Sequence, residues 1–232
     1  MVNFFNWRFR INKQSSTYKV YSKYSKIVSK LVYLFIILRT RLLPLEIYNK
    51  EIPDEGTIVE IGSGHGIIAR FLALSSSKRN VIGFDPDIER TKIAKKVSIE
   101  EQNIDFIAKY YNNNLSGPVD AAIVVGVFCL MDDKDVSNVL KMLNTSFSEK
   151  SLLYISDIPA YEKFDFIHLF HITREKFFGL IGFTKGDGLY LRTHEEWKEL
   201  LKKSGFKINF VNKAPVFLHR TYDIVCEKLL PN

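Results

Sequence analysis

The fold is decided by a glycine-rich stretch that joins an apolar run to a helix-compatible run. It reads VEIGSGHGIIA and spans residues 59–69. The pattern predicts a strand that enters a helix through a tight turn. Glycines let a backbone turn sharply and come close to a ligand. Because a plain strand-to-helix turn needs one glycine at most and this turn has three at alternate positions, the stretch indicates a ligand-binding loop.

The residues around the glycines decide between two kinds of ligand. A dinucleotide loop has the pattern G-x-G-x-x-G/A and holds the pyrophosphate at a helix N-terminus. Counted from Gly62, the third small position of that pattern is Ile67, and the last glycine is Gly66 instead. Glu60, just before the loop, would repel a pyrophosphate and attract a cation. The loop therefore favours a positively charged ligand over a dinucleotide.

The rest of the chain alternates between predicted strands and helices. Strands are expected at residues 57–61, 80–84, 104–108, 120–130, 152–156, 207–211 and 216–226, and helices at 67–74, 88–101, 135–147 and 193–205. Alternation of this kind predicts an α/β fold with a doubly wound, mostly parallel seven-stranded sheet. Residues 159–192 interrupt the alternation with a Phe- and Gly-rich stretch, which we interpret as a helical lid insertion.

With Glu60, Gly62, Gly64 and Gly66, the loop resembles the first motif of the class I S-adenosylmethionine-dependent methyltransferases: an acid, any residue, then Gly-x-Gly-x-Gly. The family's second motif is an acid that ends the next strand and binds the ribose hydroxyls. Asp85 occupies this position, and a carboxylate suits two neighbouring hydroxyls because it accepts both hydrogen bonds. The resemblance implies S-adenosylmethionine as the cofactor and methyl transfer as the activity.

The resemblance also implies further cofactor contacts along the chain. The additional candidates are Ser63, His65, Pro86, Tyr110, Val125 and Gly126. The family often has one acid after the third strand and another on the fourth. This sequence departs from that pattern, since Lys109 or Tyr110 stands at the first position and Gly126 at the second. Stacking of Tyr110 or Tyr111 on the adenine is the expected substitute, and Asp87 is a neighbouring alternative to Asp85.

Methyl transfer mainly requires positioning of the acceptor, and a base helps when the acceptor is a hydroxyl or an ammonium group. The candidates for this role are Asp157, His168, His171 and Tyr190. His168 and His171 lie three residues apart on a predicted helix and titrate near neutral pH, although they also suit a packed helix. No third ligand accompanies them, so no metal site is predicted.

The acceptor is expected to be a small or lipid-like apolar molecule, methylated at oxygen rather than at nitrogen or carbon. The Phe residues of the insertion suit such an acceptor, and residues 184–206 resemble a bacterial methyltransferase subgroup of lipid-type or secondary-metabolite pathways. The Asn/Asp-Pro-Pro-aromatic and Pro-Cys motifs of nucleic-acid methyltransferases are absent from the fourth strand. An RNA methyltransferase with a basic arm and a non-catalytic scaffold protein remain the alternatives.

The positive charge of the chain is concentrated at its N-terminus. Residues 1–50 hold ten Lys and Arg and one acid, whereas the other 182 residues hold 23 basic and 25 acidic residues. We therefore divide the chain into a basic extension, 1–50, and a methyltransferase domain, 51–232. Residues 19–42 are expected to form one amphipathic helix, whose apolar stripe either packs on the domain or contacts a membrane.

Composition and cysteine content indicate where the protein works. The 46% apolar and 25% charged residues are typical of a globular protein. Two cysteines imply no disulfide framework, and the longest apolar run, residues 31–38, is too short to cross a bilayer. The start of the chain lacks the features of a signal peptide. We expect a cytoplasmic protein, either free or peripheral to a membrane.

Overall fold

The computed structural model describes residues 15–160, 173, 188–213 and 221–229. The chain divides into two compact units, Met1–Tyr110 and Tyr111–Asn232, and each is described by itself. The candidates His168 and His171 and most of the expected lid insertion lie outside the described residues. The expected boundary near residue 50 stays a prediction.

The first unit begins with short helices. They are α1 (Ser16–Ser22), a 3-10 turn (Lys23–Lys26), α2 (Lys30–Leu42) and α3 (Leu45–Glu51). The expected single helix over residues 19–42 was wrong. The chain leaves the helical path at Ser29, whose side chain caps a new helix by accepting a hydrogen bond from the Val32 amide.

The buried side of α2 also differs from expectation. Ile36 and Thr40 are the buried residues of this helix. Leu31 and Leu38 belong to the apolar stripe expected over residues 19–42, which was to pack on the domain or contact a membrane, and they are 68% and 46% exposed. Because the chain leaves the helical path at Ser29, α2 has a different orientation from α1. An apolar stripe drawn for one continuous helix over residues 19–42 therefore does not predict which side of α2 is buried.

The glycine loop lies in the parallel part of the first unit. The elements are β1 (Gly56–Ile61), α4 (Ile67–Ser75), β2 (Arg79–Phe84), α5 (Ile88–Val97) and β3 (Ile104–Ile107). β1 pairs with β2 and β2 with β3, both in parallel register. Each was predicted from its apolar run, although α5 ends four residues before the expected position.

The second unit contains the antiparallel end of the sheet. Its elements are β4 (Val119–Val125), a 3-10 turn (Phe128–Leu130), α6 (Asp133–Ser146), β5 (Phe147–Asp157), α7 (His194–Lys203), β6 (Phe206–Lys213) and β7 (Tyr222–Lys228). The fourth strand was expected to reach residue 130. It ends at Val125 because Gly126 turns the backbone with a φ of 64°. The helix α7, expected over residues 193–205, begins with a capping box formed by Thr193 and Glu196.

The strands follow the order β3-β2-β1-β4-β5-β7-β6 in one seven-stranded sheet. The pairs β5–β7 and β7–β6 are antiparallel. The predicted α/β class with a mostly parallel, doubly wound sheet is confirmed. Ligands of such sheets bind at the carboxyl ends of the strands, which is where the glycine loop follows β1.

Candidate functional site

The glycine loop turns through left-handed backbone at each of its glycines. The φ angles of Gly62, Gly64 and Gly66 are 73°, 53° and 82°. This region is costly for residues with a Cβ atom. The Gly62 and Ser63 amides donate hydrogen bonds of 2.8 and 3.0 Å to the Phe84 carbonyl oxygen. The loop is therefore fastened to the end of β2.

The glycines of the loop meet different surroundings. A Cβ atom on Gly66 would lie 2.6 Å from Cζ of Phe106 and 2.9 Å from Cβ of Ala94, so this glycine lets the loop pack on the protein. A Cβ atom on Gly64 would meet only the Asp85 carboxylate, at 4.0 Å. The space beside Gly64 is open and borders an acid, as a ligand cradle requires.

Glu60 closes the base of the loop. Its side chain is buried, and its Oε2 accepts a 2.7 Å hydrogen bond from the Ala69 amide in the first turn of α4. Burial raises the pKa of Glu60 to about 8, although the Ala69 amide and the positive charge of Arg39 oppose the shift. A cation at the loop would favour the ionised carboxylate. Glu60 thus links the end of β1 to the start of α4, next to the glycine loop, which is the position that the sequence predicted.

Asp85 is held at the open side of the loop. Its Oδ2 accepts a 2.8 Å hydrogen bond from the Gly64 amide, and its Oδ1 accepts one of 2.8 Å from the Asp87 amide. These bonds fix a largely buried carboxylate beside the open space at Gly64. Asp87, the alternative candidate, caps α5 by accepting from the Glu89 and Arg90 amides.

The N-terminal helices contact the glycine loop, which the sequence did not indicate. The buried Tyr24 hydroxyl donates a 2.6 Å hydrogen bond to the carbonyl oxygen of His65. The ring centroids of Phe35 and His65 lie 6.3 Å apart. Burial, with the charges of Arg90 and Arg39, lowers the pKa of His65 to about 4, so its imidazole is neutral at pH 7.

A second buried contact joins the N-terminal helices to α4. The guanidinium of Arg70 donates 2.6 Å hydrogen bonds to the carbonyl oxygens of Lys19 and Val20, and a 2.7 Å bond to Glu101. Glu101 also pairs with Lys23 at 3.1 Å. Sequence spacing does not predict these partners. They are distant in sequence, and the relative orientation of their helices is not evident from the sequence.

These residues fit a nucleoside that carries a positive charge. Ser63 is buried, and its hydroxyl has no hydrogen-bond partner among the described residues, which is costly unless a ligand or water supplies one. The backbone amides at the start of α4 can bind polar groups of a ligand. Asp85 offers oxygens that accept hydrogen bonds from hydroxyl groups. Glu60 lies at the base of the loop and can balance a positive charge on the ligand. A pyrophosphate would lie beside the carboxyl groups of Glu60 and Asp85, which does not favour its binding.

The remaining cofactor candidates occupy separate positions. In the first unit, Pro86 follows Asp85 and is exposed, and Tyr110 is 74% exposed. In the second unit, Val125 is buried at the end of β4, and a Cβ atom on Gly126 would meet nothing within 4 Å. Open space beside a glycine at a strand's carboxyl end suits a ligand, and the role of each of these residues stays a prediction.

The second unit holds the described catalytic candidates. Asp157 ends β5, is buried, and accepts a 2.9 Å hydrogen bond from the Ile158 amide. Burial raises the pKa of Asp157 to about 6, while hydrogen bonding from Cys129 and the Ile158 amide and the charge of Arg192 oppose the shift. A carboxylate of this kind accepts a proton more readily than an exposed one.

Tyr190 and Arg192 lie at the end of the expected lid insertion, residues 159–192. The Tyr190 amide donates to the Cys129 carbonyl oxygen at 2.7 Å, and its side chain lines an open groove of about 480 Å³ with charged residues such as Asp132. Arg192 donates to the carbonyl oxygens of Phe128 and Met131 at 2.8 and 2.7 Å. Arg192 therefore holds the turn after β4, a role that its sequence context did not reveal.

Neither a metal site nor a membrane span is found in the part of the chain that the structure describes. Among those residues, no group of three or more His, Cys, Asp or Glu is arranged to hold a metal ion. Of the helices described there, none has the length and apolar character needed to cross a bilayer.

Comparison with known proteins supports the fold. A family model described as a methyltransferase domain matches residues 33–209. A curated relative, O-methyltransferase 7 of Dictyostelium discoideum, is 24% identical over 179 residues, which are 74% of this chain and 48% of the relative. The chain thus spans about half the length of that relative.

Two solved structures are similar in fold. The mitomycin 7-O-methyltransferase MmcR has a TM-score of 0.65 at 15% identity, with 92% of this chain and 61% of that chain covered. The magnesium protoporphyrin IX methyltransferase ChlM from Synechocystis PCC 6803, solved with bound SAH, has a TM-score of 0.63 at 16% identity. There the match covers 93% of this chain and 96% of that chain. With the family model spanning more than half of its residues, the chain belongs to the methyltransferase domain family and has the class I methyltransferase fold.

Proposed function

We propose that this protein transfers a methyl group from S-adenosylmethionine to a small, apolar or lipid-like acceptor, with oxygen as the methylated atom. The arrangement that carries the proposal is the open cradle at Gly64, with Glu60 at its base and Asp85 at its rim. The family assignment and the O-methyltransferase names of two similar proteins support it.

The glycine-loop residues bind and orient the cofactor. Asp85 accepts hydrogen bonds from the ribose hydroxyls. The hydrogen bonds that it accepts from the Gly64 and Asp87 amides hold its carboxylate in place. Glu60 supplies negative charge near the positive end of the ligand. When bound, S-adenosylmethionine supplies a methyl group that its sulfonium already activates, so the protein's task is positioning and exclusion of water.

Asp157 is the proposed proton acceptor for a hydroxyl. Its carboxylate lies at the carboxyl end of β5, and its raised pKa leaves it ionised at neutral pH while strengthening its basicity. Tyr190, His168 and His171 remain further candidates for contacting the acceptor. If Asp157 is the base, the Asp157→Asn variant loses the acidic limb near pH 6 from its rate profile while its cofactor affinity is unchanged.

Calorimetry tests the cofactor assignment directly. We expect S-adenosylmethionine and S-adenosylhomocysteine to bind and NAD not to bind. Asp85→Ala should weaken cofactor binding by about 10- to 100-fold, since it removes charge-assisted hydrogen bonds. Glu89→Gln, on exposed α5 surface, is the matched control. Binding of NAD alone, or an Asp85→Ala variant with wild-type affinity, would contradict the assignment.

The acceptor class needs its own measurement. Transfer of a labelled methyl group to apolar alcohols and phenols, compared with amines and RNA, separates the lipid-like proposal from an RNA methyltransferase. The exposed leucines of α2 favour an apolar partner over RNA for the basic N-terminal segment. Cytoplasmic location with peripheral membrane contact is part of the same proposal. Absence of turnover with every acceptor, despite cofactor binding, would favour the scaffold alternative.

A further inference from the structure

A row of leucines on α2 is exposed to solvent. Leu31, Leu34 and Leu38 are 68%, 53% and 46% exposed. At about 100° per residue they lie on one side of the helix, opposite the buried Ile36 and Thr40. We call these three residues the leucine row. A contiguous exposed apolar row marks an interaction surface more often than a scattered exposed side chain does.

The segment that carries the leucine row is basic and contains no acid before Glu46. Residues 1–45 hold nine Lys and Arg. The side chains of Lys19, Lys26 and Lys30 are exposed, and Lys30 begins α2 beside the row. Exposed leucines in a basic segment whose own sequence has no acid are typical of a helix that binds anionic lipid through burial and charge together, although Lys23 is neutralised by Glu100 and Glu101.

We infer that the leucine row of α2 is a docking face for an anionic lipid bilayer. With 13 residues, α2 is too short to span a membrane and suits a position in the plane of the interface. A second copy fits less well, because two faces of the same positive charge would repel each other in a symmetric pair. RNA fits less well, because it offers nothing apolar to cover three leucines.

Docking of this face does not rest on the proposed methyl transfer, but it deepens that proposal. The Phe35 ring of the same helix lies 6.3 Å from the ring of His65 in the glycine loop. A docked α2 would bring the cofactor loop close to the bilayer surface, where a lipid-like acceptor concentrates.

Vesicle binding tests the inference without any turnover. The full chain is sedimented with vesicles of equal parts phosphatidylcholine and phosphatidylglycerol, and with phosphatidylcholine alone. We expect binding to the anionic vesicles that falls by at least about tenfold in the triple variant Leu31→Gln, Leu34→Gln, Leu38→Gln, since three apolar side chains no longer enter the interface. Ile88→Gln with Ile99→Gln, also exposed and apolar, is the matched control and should bind normally.

A fluorescent probe locates the contact. Cys129 and Cys226 are buried, so an environment-sensitive label on a Leu34→Cys variant reports on α2 alone. We expect a blue shift of its emission only when anionic vesicles are added, and none for a labelled Ile99→Cys variant. Equal binding by the triple variant, or no binding at all, overturns the inference. So does a probe that is already shielded before lipid is added, or a dimer that the triple variant abolishes, since either means that protein covers the row.

Discussion

Gly64 and Gly66 lie two residues apart, yet the structure gives them different tasks. Both have positive φ angles, but a Cβ atom on Gly66 would collide with Phe106 and Ala94, whereas one on Gly64 would point into open space beside Asp85. Gly66 therefore serves the packing of the loop, and Gly64 borders the proposed cofactor cradle. Substitution at the two positions should separate folding from binding.

Gly66→Ala is expected to destabilise the fold, and Gly64→Ala is expected to weaken cofactor binding. The first change adds a steric collision to a left-handed backbone and should cost about 2–4 kcal/mol of unfolding free energy. The second should cost about 1 kcal/mol of stability but reduce S-adenosylmethionine affinity by at least about tenfold, because its methyl group occupies the cradle. Denaturant unfolding and calorimetry measure the two effects.

Gly117→Ala provides the control for both measurements. A Cβ atom there would meet nothing within 4 Å, so stability should change by less than about 0.5 kcal/mol. Full stability in Gly66→Ala would show that Phe106 moves freely away from the loop. Full affinity in Gly64→Ala would show that the ligand does not pass beside this glycine.

The sequence located the acids that lie beside the glycine loop in the structure. Glu60 and Asp85 were recognisable because each lies at a fixed distance from the glycines, at the end of a strand that its apolar residues predict. Tyr24 was not recognisable, since its hydroxyl bonds to the backbone of His65, 41 residues away. Every residue has a backbone carbonyl, so the side chain of His65 does not indicate that its carbonyl oxygen binds Tyr24.

At the scale of elements, the strands followed directly from composition and the N-terminal helices did not. Buried parallel strands are typically rich in continuous apolar residues, and such a run is conspicuous in residues 121–125, while residues 57–61 are apolar apart from Thr57 and Glu60. The N-terminal break depends on whether Ser29 continues a helix or caps a new one. A continuous helix and a new helix capped by Ser29 both fit the apolar periodicity of residues 19–42. In the structure Ser29 caps a new helix.

Arg70 joins two elements, α1 and α4, through a buried guanidinium. Its bonds satisfy two carbonyl oxygens near the end of α1, and it pairs with Glu101 at 2.7 Å. Charged hydrogen bonds of this kind are costly to break, because the carbonyl oxygens of Lys19 and Val20 would lose a donor and Glu101 would lose one of its two cationic partners. The position of the N-terminal helices over the loop therefore depends on this residue.

Arg70→Met should loosen the N-terminal helices while the sheet stays folded. Methionine keeps much of the apolar packing but donates no hydrogen bond, so we expect a loss of about 3–5 kcal/mol. Hydrogen exchange should increase first in α1 and at Tyr24, and S-adenosylmethionine affinity should fall as the loop loses its cover. Lys78→Met removes an exposed pair with Glu55 at 3.9 Å and is the matched control. Unchanged exchange in α1 would mean that other contacts hold the helix.

At the scale of the whole molecule, three buried groups with large pKa shifts contribute to the dependence of stability on pH. Burial raises the pKa of Glu60 from 4.5 to about 8 and that of Asp157 from 3.8 to about 6, and it lowers the pKa of His65 from 6.5 to about 4. Below about pH 6.5 the carboxyl groups and the imidazole act in opposite directions. Between pH 6.5 and 8, Glu60 makes the largest contribution of the three, because Asp157 is mostly ionised in both states and the unfolded chain holds at most half a proton on His65.

The stability of the cofactor-free protein should therefore fall as the pH rises from 6.5 to 8. In this interval the folded chain keeps a proton on Glu60 that the unfolded chain has released, so each pH unit costs on the order of 1 kcal/mol. Glu60→Gln should flatten the dependence, because the amide does not titrate, and exposed Glu55→Gln should not. Bound S-adenosylmethionine favours the ionised carboxylate, so its stabilising effect should increase with pH in the same interval. Thermal unfolding at several pH values, with and without the cofactor, measures both slopes. An equal slope in Glu60→Gln, or cofactor stabilisation independent of pH, would mean that the charge of Glu60 is not coupled to the ligand.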